Sequence, residues 1–164
     1  MKAATISEIK KELKFKTNQE LIDYCLKMAR FKLESKELLT YLVFESENED
    51  RYVSGVQDYI SNEFDTISAT NYYYIKKTVR KILRQTKRYI RYSKNKESEA
   101  ILLMHFCKQM LMVRPQIRHN RVLSNMYNKQ LELAGKAIST LHEDLQYDLF
   151  QDLEELATLS SDTS

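Results

Sequence analysis

Glycine and proline are almost absent from this chain, whose 164 residues include two glycines and one proline. Together these two residue types normally make up about 12% of a protein. They supply the positive-φ turns of β-hairpins and the loops that hold phosphate groups in many active sites. A chain with so few of them has little means of building a sheet. The sequence therefore predicts an all-α fold.

Apolar residues recur at helical spacing along most of the chain, and several segments begin with a capping signal. Residues 5–8 (TISE) and 17–20 (TNQE) both match the capping box. In this motif a hydroxyl and a carboxylate each accept a hydrogen bond from backbone N–H groups at the start of a helix. Ser35 and Ser46 are expected to begin two further helices.

The pattern predicts six or seven helices, arranged as a single-domain helical bundle or a short stack of antiparallel helices. This domain is expected to cover residues 1–157, with a frayed polar tail at residues 158–164. The apolar spacing over residues 119–157 fits one long helix or two. A break is favoured, either near Gly135 or at residues 140–143 (TLHE), which match another capping box.

The segment Leu38–Phe44 is apolar all round, which is typical of a helix at the centre of a fold. A strand at residues 40–44 is the alternative, but no hairpin partner lies nearby. Gly55 falls within a predicted helix, where it is expected to permit close packing or a bend. The predicted apolar core consists of Leu21, Leu38, Leu42, Phe44, Val79, Ile82, Leu102, Phe106, Leu123, Leu141 and Leu145.

Charge is distributed very unevenly along the chain. No acidic residue lies between Asp65 and Glu97, a segment that holds ten basic residues. Without these ten, the 26 basic residues of the chain fall to 16, against 23 acidic ones. The net charge of +3 therefore conceals one strongly basic helix in an otherwise acidic protein.

On a helix with about 100° per residue, the apolar and basic residues of this segment separate onto opposite sides. We refer to the basic side as the basic face; it consists of Lys77, Arg80, Lys81, Arg84, Lys87, Arg88 and Arg91. It is about 20 Å long at ~1.5 Å per residue. Tyr73 projects near it and completes the candidate binding residues. The three consecutive tyrosines 72–74 cannot all be buried on one side of a helix, so at least one ring is expected at the surface or in a seam between helices.

Three partners suit the basic face. The leading hypothesis is a non-catalytic binding or scaffold module that contacts an acidic protein partner, and a homo-oligomer is a further possibility. The alternative is binding to a nucleic-acid backbone, with tyrosine rings available for base stacking. In a purely structural interpretation, the face is only solvated, or the chain's own acidic stretches at residues 45–65 and 143–155 neutralise it.

No residue set in the sequence indicates catalysis, a cofactor or a metal site. His105 and Cys107 lie about 200° apart on a helix, so they cannot act as a pair on one side. His119 lies in a short basic turn and His142 precedes two acidic residues, but neither belongs to a zinc-binding motif. Phosphate-binding glycine loops and a nucleophile elbow are also absent. A helical enzyme of unidentified class is the third hypothesis.

The longest apolar runs, at residues 41–44 and 100–104, are far shorter than the ~18 residues typical of a membrane span. Residues 1–14 lack the apolar core of a secretory signal. Cys25 and Cys107 provide no disulfide framework. We therefore expect a soluble cytoplasmic protein without a membrane partner.

Residues 31–42 (FKLESKELLTYL) and 139–145 (STLHEDL) resemble stretches of small all-helical bacterial proteins of unknown function. The resemblance implies an all-helical fold. It transfers no functional residue and no activity to this chain.

Overall fold

The computed structural model describes residues 1–68 and 70–161, and all regular structure within these ranges is helical. The prediction of an all-α fold is confirmed for this part of the chain. The α-helices found there are α1 (Ile6–Leu13), α2 (Asn18–Phe31), α3 (Leu33–Thr40), α4 (Glu49–Asp65), α5 (Tyr72–Ser93), α6 (Lys96–Met112), α7 (Arg121–Ile138) and α8 (Glu143–Ser161). A π-helical turn at Tyr41–Glu45 and a 3-10 turn at Ile117–His119 complete the helical structure.

The predicted number of six or seven helices is too low, because eight α-helices occur in the described ranges. The segment 119–157 contains two of them. α7 continues through Gly135, and the chain leaves the helix only after Ile138. The Thr140 hydroxyl donates to the carbonyl of Ala137 at 2.7 Å at the end of α7, and α8 begins only at Glu143, later than the predicted capping box requires. α8 extends to Ser161, and the last three residues of the predicted tail lie outside the described residues.

Side-chain caps begin most of the helices. Both predicted capping boxes, Thr5 with Glu8 and Thr17 with Glu20, are confirmed at the starts of α1 and α2. The predicted start at Ser35 is wrong, because α3 already begins at Leu33. The helix that was expected to begin at Ser46 begins at Glu49 instead. Asparagine side chains cap α4, α5, α6 and α7, and these residues are Asn48, Asn71, Asn95 and Asn120.

The chain divides into two compact units, residues 1–44 and 45–164. We refer to them as the first unit and the second unit. The prediction of one domain over residues 1–157 concerns how the two units are joined, and it stays a prediction.

Helix α6 is the central element of the second unit, where it packs against α4, α5, α7 and α8. Its consecutive residues Leu102, Leu103 and Met104 are all buried. Since successive helical residues point about 100° apart, these three side chains alone require neighbours around more than half of the helix. The remaining buried apolar residues of α6 are Ala100, Phe106, Cys107 and Met110.

Specific contacts join the surrounding helices to this centre. Phe64 of α4 meets Phe106 of α6 edge to face, with ring centroids 5.4 Å apart. The hydroxyl of the buried Tyr127 in α7 donates to the carbonyl of Leu156 in α8 at 2.6 Å. Because both polar groups are enclosed, this hydrogen bond fixes where α8 lies on α7.

The first unit is different, because Tyr41 is its one buried residue. α2 packs against α3, and this contact leaves most of their apolar side chains exposed. The prediction that residues 38–44 form a central helix is therefore wrong: Leu42 is 55% exposed and Phe44 is 68% exposed. A unit of about 44 residues is too small to enclose a core of its own. Of the other predicted core residues, Leu38 and Leu145 are also exposed.

The two glycines provide a matched test of helix packing. A methyl group added at Gly55 in α4 meets no atom within 4 Å, which excludes the close packing expected there. We predict that Gly55→Ala raises the free energy of unfolding by about 0.5–1 kcal/mol, because alanine loses less backbone entropy in a helix. At Gly135 the same methyl lies 3.3 Å from Leu153 Cδ2, so Leu153 must shift and the gain should be smaller.

Urea unfolding of the two variants and the wild type measures this difference. A loss of stability in Gly55→Ala, or a larger gain in Gly135→Ala, contradicts the packing described for α4 and for the contact between α7 and α8.

Candidate binding face on helix α5

Helix α5 has one buried side, which packs against α4 and α6. The residues buried on this side recur every three or four positions and are Ile75, Val79, Ile82, Thr86 and Ile90. The one polar member, Thr86, donates its hydroxyl to the carbonyl of Ile82 at 2.9 Å, so it needs no partner from a neighbouring helix. The apolar side of α5 is therefore fixed in the core, and the basic face is turned outward.

Both ends of α5 are held in place. At the start, the Asn71 side chain accepts a hydrogen bond from the backbone N–H of Tyr73 at 2.8 Å. The Tyr72 hydroxyl donates to the carbonyl of Gln116 at 2.7 Å, which ties the first turn to the segment before α7. At the other end, Lys94 adopts a left-handed conformation with φ of 54° and stops the helix. Near this end, the Tyr52 hydroxyl of α4 donates to the carbonyl of Tyr89 at 2.9 Å, so contacts tie α5 to neighbouring elements near both ends.

Most of the predicted site residues are exposed on helix α5. The exposed members of the basic face are Lys77, Arg80, Lys81, Arg84 and Arg91, while Lys87 and Arg88 are half-buried. The Arg88 guanidinium donates to the Gln85 side chain one turn earlier on the same helix. The structure therefore brings the predicted cations together on one side of a single helix.

An ion pair joins the basic face to the acidic stretch 45–65. Lys81 Nζ lies 3.3 Å from Glu63 Oε2 of α4, and the lysine side chain is 67% exposed. An exposed ion pair of this kind is worth about 0–1 kcal/mol. Within residues 1–68 and 70–161, no ion pair is formed by Lys77, Arg80, Arg84, Lys87 or Arg91.

The acidic stretches have other positions or partners. In the stretch 45–65, Glu45 pairs with Arg51 at 3.1 Å, and Glu49 accepts a hydrogen bond from the Ser98 hydroxyl at 2.6 Å. The stretch 143–155 belongs to α8, which packs against α6 and α7. An acidic side chain of the same chain, Glu63, therefore neutralises Lys81.

Two exposed tyrosine rings lie at the start of α5. Tyr73 is 65% exposed and Tyr74 is 58% exposed, which confirms that the run 72–74 brings a ring to the surface. Their ring centroids are 5.2 Å apart with an interplanar angle of 86°. The pair adds aromatic surface to the same helix that carries the basic face.

A hydrogen-bonded group between α4 and α6 was not predictable from sequence spacing, since its members lie more than forty positions apart. Ser61 Oγ is 2.9 Å from His105 Nε2, and it accepts a further hydrogen bond from Gln109 Nε2 at 3.2 Å. The imidazole is also hydrogen-bonded to the backbone of Gln57. Burial is the main cause that lowers the pKa of His105.

This serine–histidine contact lacks the remaining parts of an acyl-transfer site. Ser61 lies inside α4, where backbone N–H groups are hydrogen-bonded within the helix and cannot stabilise an oxyanion. The second partner of His105 is the Gln57 backbone, where a catalytic triad has a carboxylate. We therefore interpret the contact as a structural link between the two helices.

The cysteines are separate and differ in environment. Cys25 is exposed, whereas Cys107 is buried in α6 and donates its thiol to the carbonyl of Tyr127 at 3.7 Å. Burial raises the pKa of the Cys107 thiol to about 12, so it is protonated at neutral pH. No cluster of three or more His, Cys, Asp or Glu side chains that could hold a metal ion occurs in the described part of the chain.

Comparison of the chain with protein-family models, with curated proteins and with solved structures gives no match. The resemblance noted for residues 31–42 and 139–145 thus stays a prediction. In the ranges that the structure describes, no helix combines the length and the apolar character needed to cross a membrane.

We predict that mild acid destabilises the fold through His105. The pKa of His105 is lowered in the folded protein. In the unfolded chain the imidazole therefore takes up its proton at a higher pH, about 6.5. The stability contributed by neutral His105 is complete above that pH and is lost as the pH falls through it. His105→Asn should therefore lose less stability than the wild type between neutral pH and about pH 5.5.

Urea unfolding at both pH values measures this difference, with the exposed His142→Asn as the control. Charges near His105 include Asp58 and Lys108, and Asp152 and Glu155 of α8 line the adjacent cavity of about 320 Å³. All four stay unchanged in the two variants. An equal pH dependence in the wild type and His105→Asn contradicts the prediction.

Proposed function

We propose that this chain is a non-catalytic binding module of the cytoplasm that contacts an acidic protein partner through the basic face of α5. The observation that carries the proposal is a set of five cations on α5 that form no ion pair within the described residues, namely Lys77, Arg80, Arg84, Lys87 and Arg91. The opposite side of α5 is buried against α4 and α6. The face is therefore held in one orientation while its charge remains available.

The geometry of the face suits an acidic helix. Its charged residues recur every three or four positions, which is also the spacing at which Asp and Glu side chains line one side of a helix. Arg80, Arg84 and Arg91 each carry a planar guanidinium, which binds a carboxylate through two parallel hydrogen bonds. Because α5 is fixed at both ends, association would cost little backbone entropy.

A nucleic-acid strand is the second candidate partner, and the exposed rings of Tyr73 and Tyr74 favour it. Base stacking on an aromatic ring contributes about 1–3 kcal/mol per base. The same cations would then bind phosphate groups in place of carboxylates. The tyrosines separate the two candidates, since an acidic helix does not require them.

We predict that the combined substitution Arg80→Glu, Arg84→Glu and Arg91→Glu weakens binding by about tenfold or more, since each exposed ion pair contributes up to ~1 kcal/mol. The three side chains are exposed and form no ion pair, so the fold should remain intact. Fluorescence anisotropy with a labelled poly-glutamate peptide, a mixed-sequence single strand and a duplex measures binding. Titrations at about 50 and about 200 mM salt show how strongly it depends on charge.

The control variant combines Lys108→Glu, Arg118→Glu and Arg121→Glu, which change the net charge equally on exposed positions of other elements. It should bind as the wild type does. Preferred binding of the peptide, unchanged in Tyr73→Ala/Tyr74→Ala, supports the acidic partner. Preferred binding of a strand that this double variant weakens supports nucleic acid. No binding at low salt, or an equal loss in the control, overturns the assignment of the basic face.

A further inference from the structure

Exposed apolar side chains are concentrated in the first unit. Among the residues that the structure describes, 22 large apolar side chains are exposed, and 15 of them lie in residues 1–44. The same unit contributes Tyr41 alone to the 26 buried apolar residues. Monomeric proteins rarely expose so much apolar surface in one region, and an interaction site is the usual reason.

Helix α2 carries an ordered part of this surface. Leu21, Tyr24, Met28 and Phe31 follow one another at spacings of three, four and three, which is the pattern of a coiled-coil seam. We refer to these four residues as the α2 seam. Tyr24 is 39% exposed, Met28 59% and Phe31 81%. Leu21 is half-buried. The seam therefore has the pattern of a helix pair, and three of its four side chains are exposed.

Helix α3 does not cover the seam, because it packs on another side of α2. Leu26 and Ala29 of α2 line a groove of about 590 Å³ together with Leu33 and Val43. Met28 points about 160° away from Leu26 around the helix axis. The seam and the groove toward α3 thus occupy different sides of α2.

The charges of α2 favour a second copy of the same helix. Glu20 in its first half and Lys27 in its second half flank the seam on the same side, whereas Arg30 lines the groove toward α3. In an antiparallel pair, the acidic half of each helix lies beside the basic half of the other. A parallel pair would place like charges together, so the charge pattern selects the antiparallel arrangement.

The exposed area is large enough for a dimer. Weighted by their exposed fractions, the large apolar side chains of residues 6–44 present on the order of 1,500 Å², at about 200 Å² for a fully exposed side chain. A standard interface buries about 800 Å² on each partner. The exposed residues of the α2 seam supply about 350 Å² of this area, so the rest of the interface has to come from other exposed apolar side chains of the first unit.

We infer that two copies of this chain associate through their first units, with α2 antiparallel to α2 of the second copy. Such a contact has two-fold symmetry, and its axis passes near Cys25, which lies at the middle of α2. The inference concerns a different surface from the basic face and does not depend on the proposed function. A dimer would carry two basic faces, so a partner with two acidic sites would bind with avidity.

Light scattering coupled to size-exclusion chromatography tests the inference on the full chain. We expect the mass of a dimer for the wild type and of a monomer for Met28→Lys/Phe31→Lys, since a buried lysine opposes association. The control, Tyr73→Lys/Tyr147→Lys, changes two exposed aromatic residues of the second unit and should remain a dimer. A monomeric wild type, or a dimer that the α2 variant does not weaken, overturns the inference.

Cross-linking through Cys25 avoids any effect of the variants on folding. A short bis-maleimide should join two wild-type chains, because Cys25 is exposed near the expected axis while Cys107 is buried. The covalent dimer should disappear in Cys25→Ser and persist in Cys107→Ala. If the wild type gives no cross-linked dimer, the assignment of α2 to the dimer interface is overturned. An equal yield of cross-linked dimer in Cys25→Ser overturns it as well.

Discussion

The burial of α6 is the constraint on which the second unit depends. Its side chains are apolar around most of the helix, so several neighbours are needed to remove them from water. α4, α5, α7 and α8 supply these neighbours, and each turns an apolar side toward α6. Once α5 has been placed in this way, its basic face has to point outward. The candidate binding surface is thus a consequence of how the core is filled.

The two units differ in how far their apolar side chains are buried. In the second unit the apolar faces are covered by other helices, and charge is what remains on the surface. In the first unit the capped helices α1 and α2 form from local signals, yet Tyr41 is the one buried residue. Helix caps order the backbone without providing a core, so the apolar seam of α2 needs a partner. This contrast underlies our two proposals, charge recognition by the second unit and self-association by the first.

Several features that depend on neighbouring residues were predictable from the sequence, although the helix starts expected at Ser35 and Ser46 were not found there. The capping boxes at Thr5 and Thr17 and the two sides of α5 follow from spacing alone. Features set by contacts between distant residues were not predictable. The Ser61–His105 contact joins residues 44 positions apart, and the exposure of Phe44 depends on what covers it. Candidate site residues were found because a helical wheel shows which side is charged. Whether Glu63 reaches Lys81 required the packing of α4 on α5.

Native-state hydrogen exchange of the full chain tests the central role of α6 most directly. If α6 organises the second unit, the amides around Leu102 and Phe106 should be the slowest to exchange, and only global unfolding should expose them. Amides of α3, in the unit without a core, should exchange by local opening at much higher rates. Exchange from the middle of α6 as fast as from α3, or faster than from α5 and α7, would contradict the account.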